Sequence, residues 1–389
     1  VKVAFISNLF PDTAEPYRGL DNATLLHHLS AHCEVRVISP RPALPFIRLG
    51  RPPRQCRPLD AQFQPLYLDA PYLPKIGSRL NHRLLARALR QPLQVLRREF
   101  PFELILCAWT YPDGCAVDLL APELGAPFLV IAQGSDVHAY LEVPVRRQLI
   151  VAMTDHAAGV ITRSADLARR LLEAGALAEK LHPIYNGVDE KIFCPADALF
   201  ARRELNLPAE GKIILFVGNF VPVKNPSLLV AAHAEISWRK PAFPARLVMI
   251  GGGPLETAVR CQADALGFGS QVILAGRKNS AEVARFMQAA DVLCLSSENE
   301  GVPNVVLEAF ACGRRVVATN VGGIHEVLSQ PFLGRLAERG EVAALADALA
   351  QTLAEPANEP QILQHARQFT WPRAAEAYFN VLERALIPI

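Results

Sequence analysis

Asp291-Val292-Leu293-Cys294-Leu295-Ser296-Ser297-Glu298-Asn299-Glu300-Gly301-Val302-Pro303-Asn304-Val305-Val306-Leu307-Glu308-Ala309-Phe310-Ala311-Cys312-Gly313 reads as a strand, a turn and a helix in succession. The run from Asp291 to Ser296 is short and apolar through its middle, the pattern of a strand buried on both faces of a parallel sheet. Pro303 suits the first helical position, where its missing donor is not needed, and Gly313 supplies the C-terminal stop. Such a unit turns the amides of Gly301, Val302 and Asn304 towards the carboxyl end of the sheet, where they can hold hydroxyls or a diphosphate. Glu300 lies in the turn and Glu308 just inside the helix, eight positions on; a carboxylate at each place can accept from pairs of hydroxyls.

The same alternation of apolar runs with amphipathic stretches recurs along the chain. Strands are expected at Val1 to Ser7, Glu34 to Ile38, Glu103 to Ala108, Pro127 to Ala132 and Gly159 to Arg163, and a second series at Lys212 to Val217, Arg246 to Ile250, Gln271 to Ala275, Asp291 to Ser296 and Arg315 to Thr319. Asn186-Gly187, Pro195 and Pro208 supply turn and breaker chemistry between the series. At 389 residues there is room for two domains, each with its own core. The expected fold class is α/β, two Rossmann-like parallel-sheet domains facing a deep cleft, with ligands at the carboxyl ends of the strands. Pro40, Pro42, Pro45, Pro52, Pro53, Pro58 and Pro65 crowd the stretch after Ile38, which reads as a long irregular insertion.

Hydrophobic residues make up 51% and charged residues 20%, so the chain is globular rather than disordered. The formal charge of +2 gives no reason to expect nucleic acid, yet thirteen basic residues face three acidic ones between Arg36 and Phe100. Two readings of that segment stand: a solvated surface balanced by acids elsewhere, or contact with an anionic membrane or a lipid diphosphate. No run approaches the ~20 apolar residues needed to span a bilayer, and Val1-Lys2-Val3-Ala4-Phe5-Ile6 reads as a strand rather than a signal peptide. The expected location is the cytoplasm, with any membrane association peripheral and on the inner face. Eight scattered cysteines without a Cys-x-x-Cys pair suit a reducing compartment and give neither a zinc site nor a disulfide frame.

The Ser297 to Gly313 stretch resembles glycosyltransferase family 4, group 1 type, whose Glu-x7-Glu signature is matched by Glu300 and Glu308 with Gly-x-Pro and Glu-Ala-x-x-x-Gly around them. Further matches follow in family order: Tyr185-Asn186-Gly187-Val188-Asp189 at the junction, Gly218-Asn219-Phe220-Val221-Pro222-Val223-Lys224 at the diphosphate loop, and Gly251-Gly252-Gly253 after a strand. A dinucleotide fingerprint is excluded at that last turn, because Glu256 stands where the third glycine would be. The resemblance implies a GT-B fold, with an acceptor-side domain over 1–190 completed by a C-terminal helix at about 370–389, and a donor domain over 195–369. It implies that Glu308 binds the donor ribose, that Glu300 contacts the transferred sugar, and that Lys224 offsets charge on the departing diphosphate. Gly19, Gly218, Asn219, Gly252, Arg277, Gly301, Val302 and Asn304 complete the implied donor set. Asn219 departs from the family, which often has arginine there, and leaves the phosphate role to Lys224.

On the acceptor side, Trp109-Thr110-Tyr111-Pro112-Asp113-Gly114 and Gln133-Gly134-Ser135-Asp136-Val137-His138 both follow strands. Tyr111, Gln133 and Asp136 are the acceptor-side candidates, with Asp136 also placed among the catalytic residues beside Glu300 and Lys224. Gln133 replaces a histidine common in the family, and His138 reads as a helix-surface residue. The implied reaction is retaining transfer from a UDP- or GDP-sugar to a hydroxyl of a sugar or lipid-linked acceptor, in polysaccharide or glycolipid assembly. No cofactor and no metal are implied, since family members lack the Asp-x-Asp metal motif, as does this chain. An epimerase or hydrolase of the same fold, or a non-catalytic nucleotide-sugar binder, remains as the alternative.

Overall fold

In the computed structural model, residues 1–44, 54–239 and 245–387 are described, and the chain divides into two compact units: Val1–Asn186 with Trp371–Ile389, and Gly187–Thr370. The first unit holds seven parallel strands: β1 (Lys2–Ile6), β2 (Glu34–Ala43), β3 (Leu66–Pro71), β4 (Leu104–Ala108), β5 (Phe128–Ala132), β6 (Gly159–Thr162) and β7 (Leu181–Pro183). Their order is β3-β2-β1-β4-β5-β6-β7. The second unit holds six: β8 (Lys212–Val217), β9 (Ala245–Ile250), β10 (Val272–Gly276), β11 (Val292–Leu295), β12 (Arg315–Thr319) and β13 (Gly334–Ala337), ordered β10-β9-β8-β11-β12-β13. In each sheet the strand order reverses once, between β1 and β4 and between β8 and β11. At such a reversal neighbouring loops diverge and leave room for a ligand.

The inner strands are buried on both faces, which is why they read as apolar runs. β4, β5 and β12 are buried at every position. Five of the eight cysteines are buried like small core residues. The sequence reading expects five strands in each half; the structure adds β3, β7 and β13, each at a sheet edge with one neighbour, where no continuous apolar run is needed.

The expected irregular insertion after Ile38 begins instead as a continuation of β2. Ile38 O accepts from Ser7 N on the β1 side and Ala43 O from Tyr72 N on the β3 side. The alternation therefore turns the missing donors of Pro40 and Pro42 towards the flank where β1 has ended and no ladder bond is lost. Pro45, Pro52 and Pro53 lie outside the described residues.

The helix Trp371–Leu386 packs with the first unit, where Trp371, Tyr378 and Leu382 join Phe5, Leu25 and Ile131 in one core. The chain passes between units at Asn186–Gly187 and Thr370–Trp371, ahead of the position near 195 expected from the prolines. Just inside the second unit these two passages are tied together: Val188 N donates to Phe369 O at 2.9 Å, and Val188 bridges Thr370.

Candidate functional site

In the second unit, three loops leave the carboxyl ends of neighbouring strands β8, β11 and β12 and are laced to one another. Ser296 Oγ lies 3.1 Å from Lys224 O and 2.8 Å from Asn225 O, Asn225 Nδ2 donates to Glu298 Oε1 at 2.6 Å, and Glu298 N donates to Val223 O at 2.8 Å. These bonds join the loops after β8 and β11 across the strand-order reversal. Thr319 Oγ1 donates to Ser297 O at 2.6 Å and Gly323 N to Gly301 O at 3.1 Å, which joins the loops after β11 and β12. Gly322 completes this seam. Its φ is 53°, and a Cβ there would sit 1.8 Å from Glu300 O, so only glycine lets the two backbones meet.

The lacing brings Lys224 and Glu300 into an ion pair between Nζ and Oε1. Ser297 Oγ donates to the same Oε1 at 2.7 Å. The Glu300 side chain is 10% exposed and that of Lys224 27%. With Oε1 engaged twice, Oε2 is the Glu300 oxygen left to accept from a hydroxyl. Asn304–Ala311 forms the helix, with Pro303 as its N-cap in extended conformation rather than the first helical residue, and Gly313 in the left-handed region beyond its end. Glu308 is thus on the second turn of that helix. The loops after β8 and β9 meet as well: Gly218 N donates to Ile250 O at 3.0 Å, and Phe220 N to Gly252 O at 3.1 Å. Arg277 lies against Gly252, its Nε 3.3 Å from where a Cβ would stand. Asn219 occupies the turn between these bonds. The candidate donor residues of this unit are therefore gathered at one end of one sheet.

In the first unit the candidates divide. Gly19 has φ 62°, and a Cβ on it would fall 2.2 Å from Leu9 O, so it serves the close crossing of two loop segments after β1. Gln133 is fastened through Nε2 to Asn22 Oδ1 at 2.7 Å, the same oxygen that takes Arg163 Nη2 at 2.7 Å. Asp136 is fully buried and accepts from the backbone N–H groups of Thr110, Gln133 and Gly134 at 2.9, 2.9 and 2.8 Å. Burial raises its pKa, and the amide bonds oppose that shift without reversing it. With its carboxylate sealed against loop amides, Asp136 is a clamp between the loops after β4 and β5 rather than a group that meets an acceptor. Tyr111 is corrected too: its ring is fully buried and its hydroxyl donates to the carbonyls of Gly77 and Ser78, both at 3.0 Å. His138, expected on a helix surface, is buried with Nε2 3.8 Å from Asp166 Oδ2.

Where Tyr111 turns inward, its neighbours line a cavity of about 260 Å³ at the β1/β4 reversal, walled by Asn8, Pro40, Tyr72, Trp109, Asp113 and Tyr140 among others. Trp109 has φ 105°, a strained value for a residue with a Cβ, and such strain is held where the surroundings demand it. Asp113 accepts from Asn8 N at 3.0 Å and Asn8 Nδ2 at 3.2 Å, and burial pushes its carboxyl up to about 7.

Family comparisons follow this division. A family model described as "Glycosyl transferase 4-like domain" matches residues 22–187, and one described as "Glycosyl transferases group 1" matches residues 197–369. The chain belongs to the group 1 glycosyltransferases. Similar curated proteins include the D-inositol 3-phosphate glycosyltransferases of Acidothermus cellulolyticus, 32% identical over 61% of this chain and 55% of that protein, and of Thermobispora bispora, 31% identical over 66% and 63%. The chain thus spans under two thirds of the length of these relatives. Among solved structures, Anabaena HepE in complex with UDP superposes with a TM-score of 0.77 at 18% identity, covering 98% of this chain and 100% of that one. A sucrose-phosphate synthase from Thermosynechococcus elongatus gives 0.75 at 23% identity, covering 98% of each. At these identities the likeness is one of fold, which is GT-B.

For a group 1 glycosyltransferase, the residues that the sequence reading leaves out are Ser297, which shares Glu300 with Lys224, and the Trp109–Asp113 pair at the cavity. Both lie inside the stretches quoted for other members. Among the described residues, no group of three or more His, Cys, Asp or Glu could hold a metal ion, and no helix is long and apolar enough to cross a membrane.

Proposed function

We propose that this chain is a retaining, metal-independent glycosyltransferase that moves a sugar from a UDP- or GDP-sugar to a hydroxyl of a sugar or lipid-linked acceptor. Polysaccharide or glycolipid assembly is the setting, without a cofactor and with peripheral attachment to the inner face of a membrane. The observation that carries the reading is the Lys224–Glu300–Ser297 cluster at the β8/β11 reversal, with Glu308 on the helix that follows. The donor diphosphate would lie beside the Lys224 ammonium and the amides of Gly301, Val302 and Asn304, which meet the charge that grows as the glycosidic bond breaks. Glu300 would take a hydroxyl of the transferred sugar through Oε2 while holding the lysine through Oε1. Glu308 would take the ribose hydroxyls. The acceptor would enter the Trp109–Asp113 cavity of the first unit, where Asn8 holds Asp113. The incoming hydroxyl gives its proton to a donor phosphate oxygen, so no protein base is required.

Product analysis with radiolabelled UDP- and GDP-sugars tests this reading. Transfer to an added glycan or lipid acceptor supports it; free or isomerised sugar points to hydrolase or epimerase chemistry. Transfer is expected to continue in strong chelator, and loss of turnover that magnesium or manganese restores would overturn metal independence. Glu308→Ala is expected to weaken donor binding by roughly 1.5–3 kcal/mol, the worth of hydrogen bonds to a charged acceptor. Calorimetric titration reads it, and an affinity within twofold of wild type counts against the ribose role.

A further inference from the structure

The structure divides the basic segment between Arg36 and Phe100 into two parts with different fates. In the first part the charges on the described residues are consumed internally. Arg41 pairs with Asp12 at 2.9 Å, Arg54 with Asp69 at 2.7 Å and Arg57 with Asp60 at 2.6 Å, while Arg36 bonds the carbonyls of Val35 and Gln62. Arg90 is exposed but already paired, through two bonds to Glu123 at 3.0 and 2.8 Å. In the second part, Lys75, Arg79, Arg83 and Arg87 are exposed and have no ion-pair partner among the described residues. No acidic residue occurs between Asp69 and Glu99 to balance them.

Apolar side chains stand among these cations. Ile76 is 81% exposed and Leu80 47%. They are not on a loose loop: Gly77 N donates to Leu73 O at 3.1 Å, and Asn81 grips Leu73 through both amide atoms at 2.9 and 3.1 Å. Tyr111 bonds the carbonyls of Gly77 and Ser78, and Arg146 Nε donates to Ser78 Oγ at 3.2 Å. The fold therefore commits one buried and several part-buried hydrogen bonds to a fixed tip that displays isoleucine and leucine to solvent. Immediately after it, the helix Asn81–Glu99 buries His82, Leu85, Ala86 and Leu89 and turns Arg83 and Arg87, one turn apart, outward.

We propose that this tip and the outward face of the helix are a docking surface for an anionic lipid bilayer, with Ile76 and Leu80 entering the interface and Lys75, Arg79, Arg83 and Arg87 meeting the lipid phosphates. Exposed cations flanking exposed apolar groups along the chain match the layered chemistry of a bilayer surface, where phosphate lies above acyl chain. An acidic soluble protein would satisfy the cations and leave no reason for the fixed isoleucine. The inference rests on the membrane-attached reading above and gives it an address.

Co-sedimentation with phosphatidylcholine vesicles, with and without phosphatidylglycerol, at low and physiological salt, tests it. Wild type is expected on the anionic vesicles, more tightly at low salt, and not on the neutral ones. Arg83→Glu/Arg87→Glu and Ile76→Asp/Leu80→Asp are each expected to weaken binding by more than about tenfold, with donor binding unchanged. All four positions are exposed, so folding is not at stake. Wild type that binds neither vesicle overturns membrane attachment itself; wild type that binds while both variants bind equally well overturns this surface. An arginine effect without any effect of the Ile76/Leu80 pair marks a soluble phosphate ligand and also overturns the bilayer assignment. A chain that docks as described but transfers no sugar leaves the surface standing and removes the proposed reaction.

Discussion

Lys224→Ala is expected to lower kcat/KM for sugar transfer by about 10²–10³, the cost of removing one preorganised group that stabilises transition-state charge. Two effects run in the same direction. The departing diphosphate loses its cation, and Glu300 loses the partner of Oε1, keeping only the Ser297 hydroxyl. A nearly buried carboxylate stripped of its counter-ion then faces an anionic leaving group. Lys224→Arg restores the charge but not the compact ammonium and is expected to recover only part of the rate. Steady-state kinetics at saturating acceptor decide the matter; an alanine variant within threefold of wild type would mean that the diphosphate is held elsewhere.

Asp136→Ala should act on stability. Three backbone N–H groups, that of Thr110 buried and those of Gln133 and Gly134 part-buried, lose their acceptor at once, each at about 1 kcal/mol, in loops that carry the walls of the Trp109–Asp113 cavity. Melting is expected to fall by roughly 10 °C, taking about 2–4 °C per kcal/mol for a unit of this size. Asp136→Asn keeps one acceptor oxygen and removes a carboxyl that burial disfavours, so it is expected to melt much closer to wild type and to retain transfer activity. An asparagine variant that folds normally yet transfers nothing would return Asp136 to the chemistry.

The central strands were legible because burial on both faces writes itself as an unbroken apolar run, and the Ser297 to Gly313 loop because its glycine, proline and carboxylates each have a fixed geometric use. The edge strands β3, β7 and β13 carry no such run, since one flank and part of a face meet solvent. Tyr111 was misdirected for a different reason. That a segment follows a strand says nothing of which of its side chains face outward, and around the positive φ of Trp109 the tyrosine lies in the core while Trp109 and Asp113 line the cavity. A Gly-Ser-Asp turn likewise reads the same whether its carboxylate faces a ligand or folds back on nearby amides. Charge counting found the basic segment but could not separate arginines paired at long range, such as Arg41 with Asp12 and Arg90 with Glu123, from those left facing solvent.

The second unit is an insert within the sequence of the first, and the bridge between Val188 and Thr370 leaves its two ends a hydrogen bond apart. Residues 187–370 can therefore be lifted out as a cassette whose termini need no spacer, or exchanged for the matching span of a relative that uses another sugar nucleotide. Under the proposed division of roles, the same arrangement would let donor choice be traded as one block while the first unit, including its last helix, stays as it is.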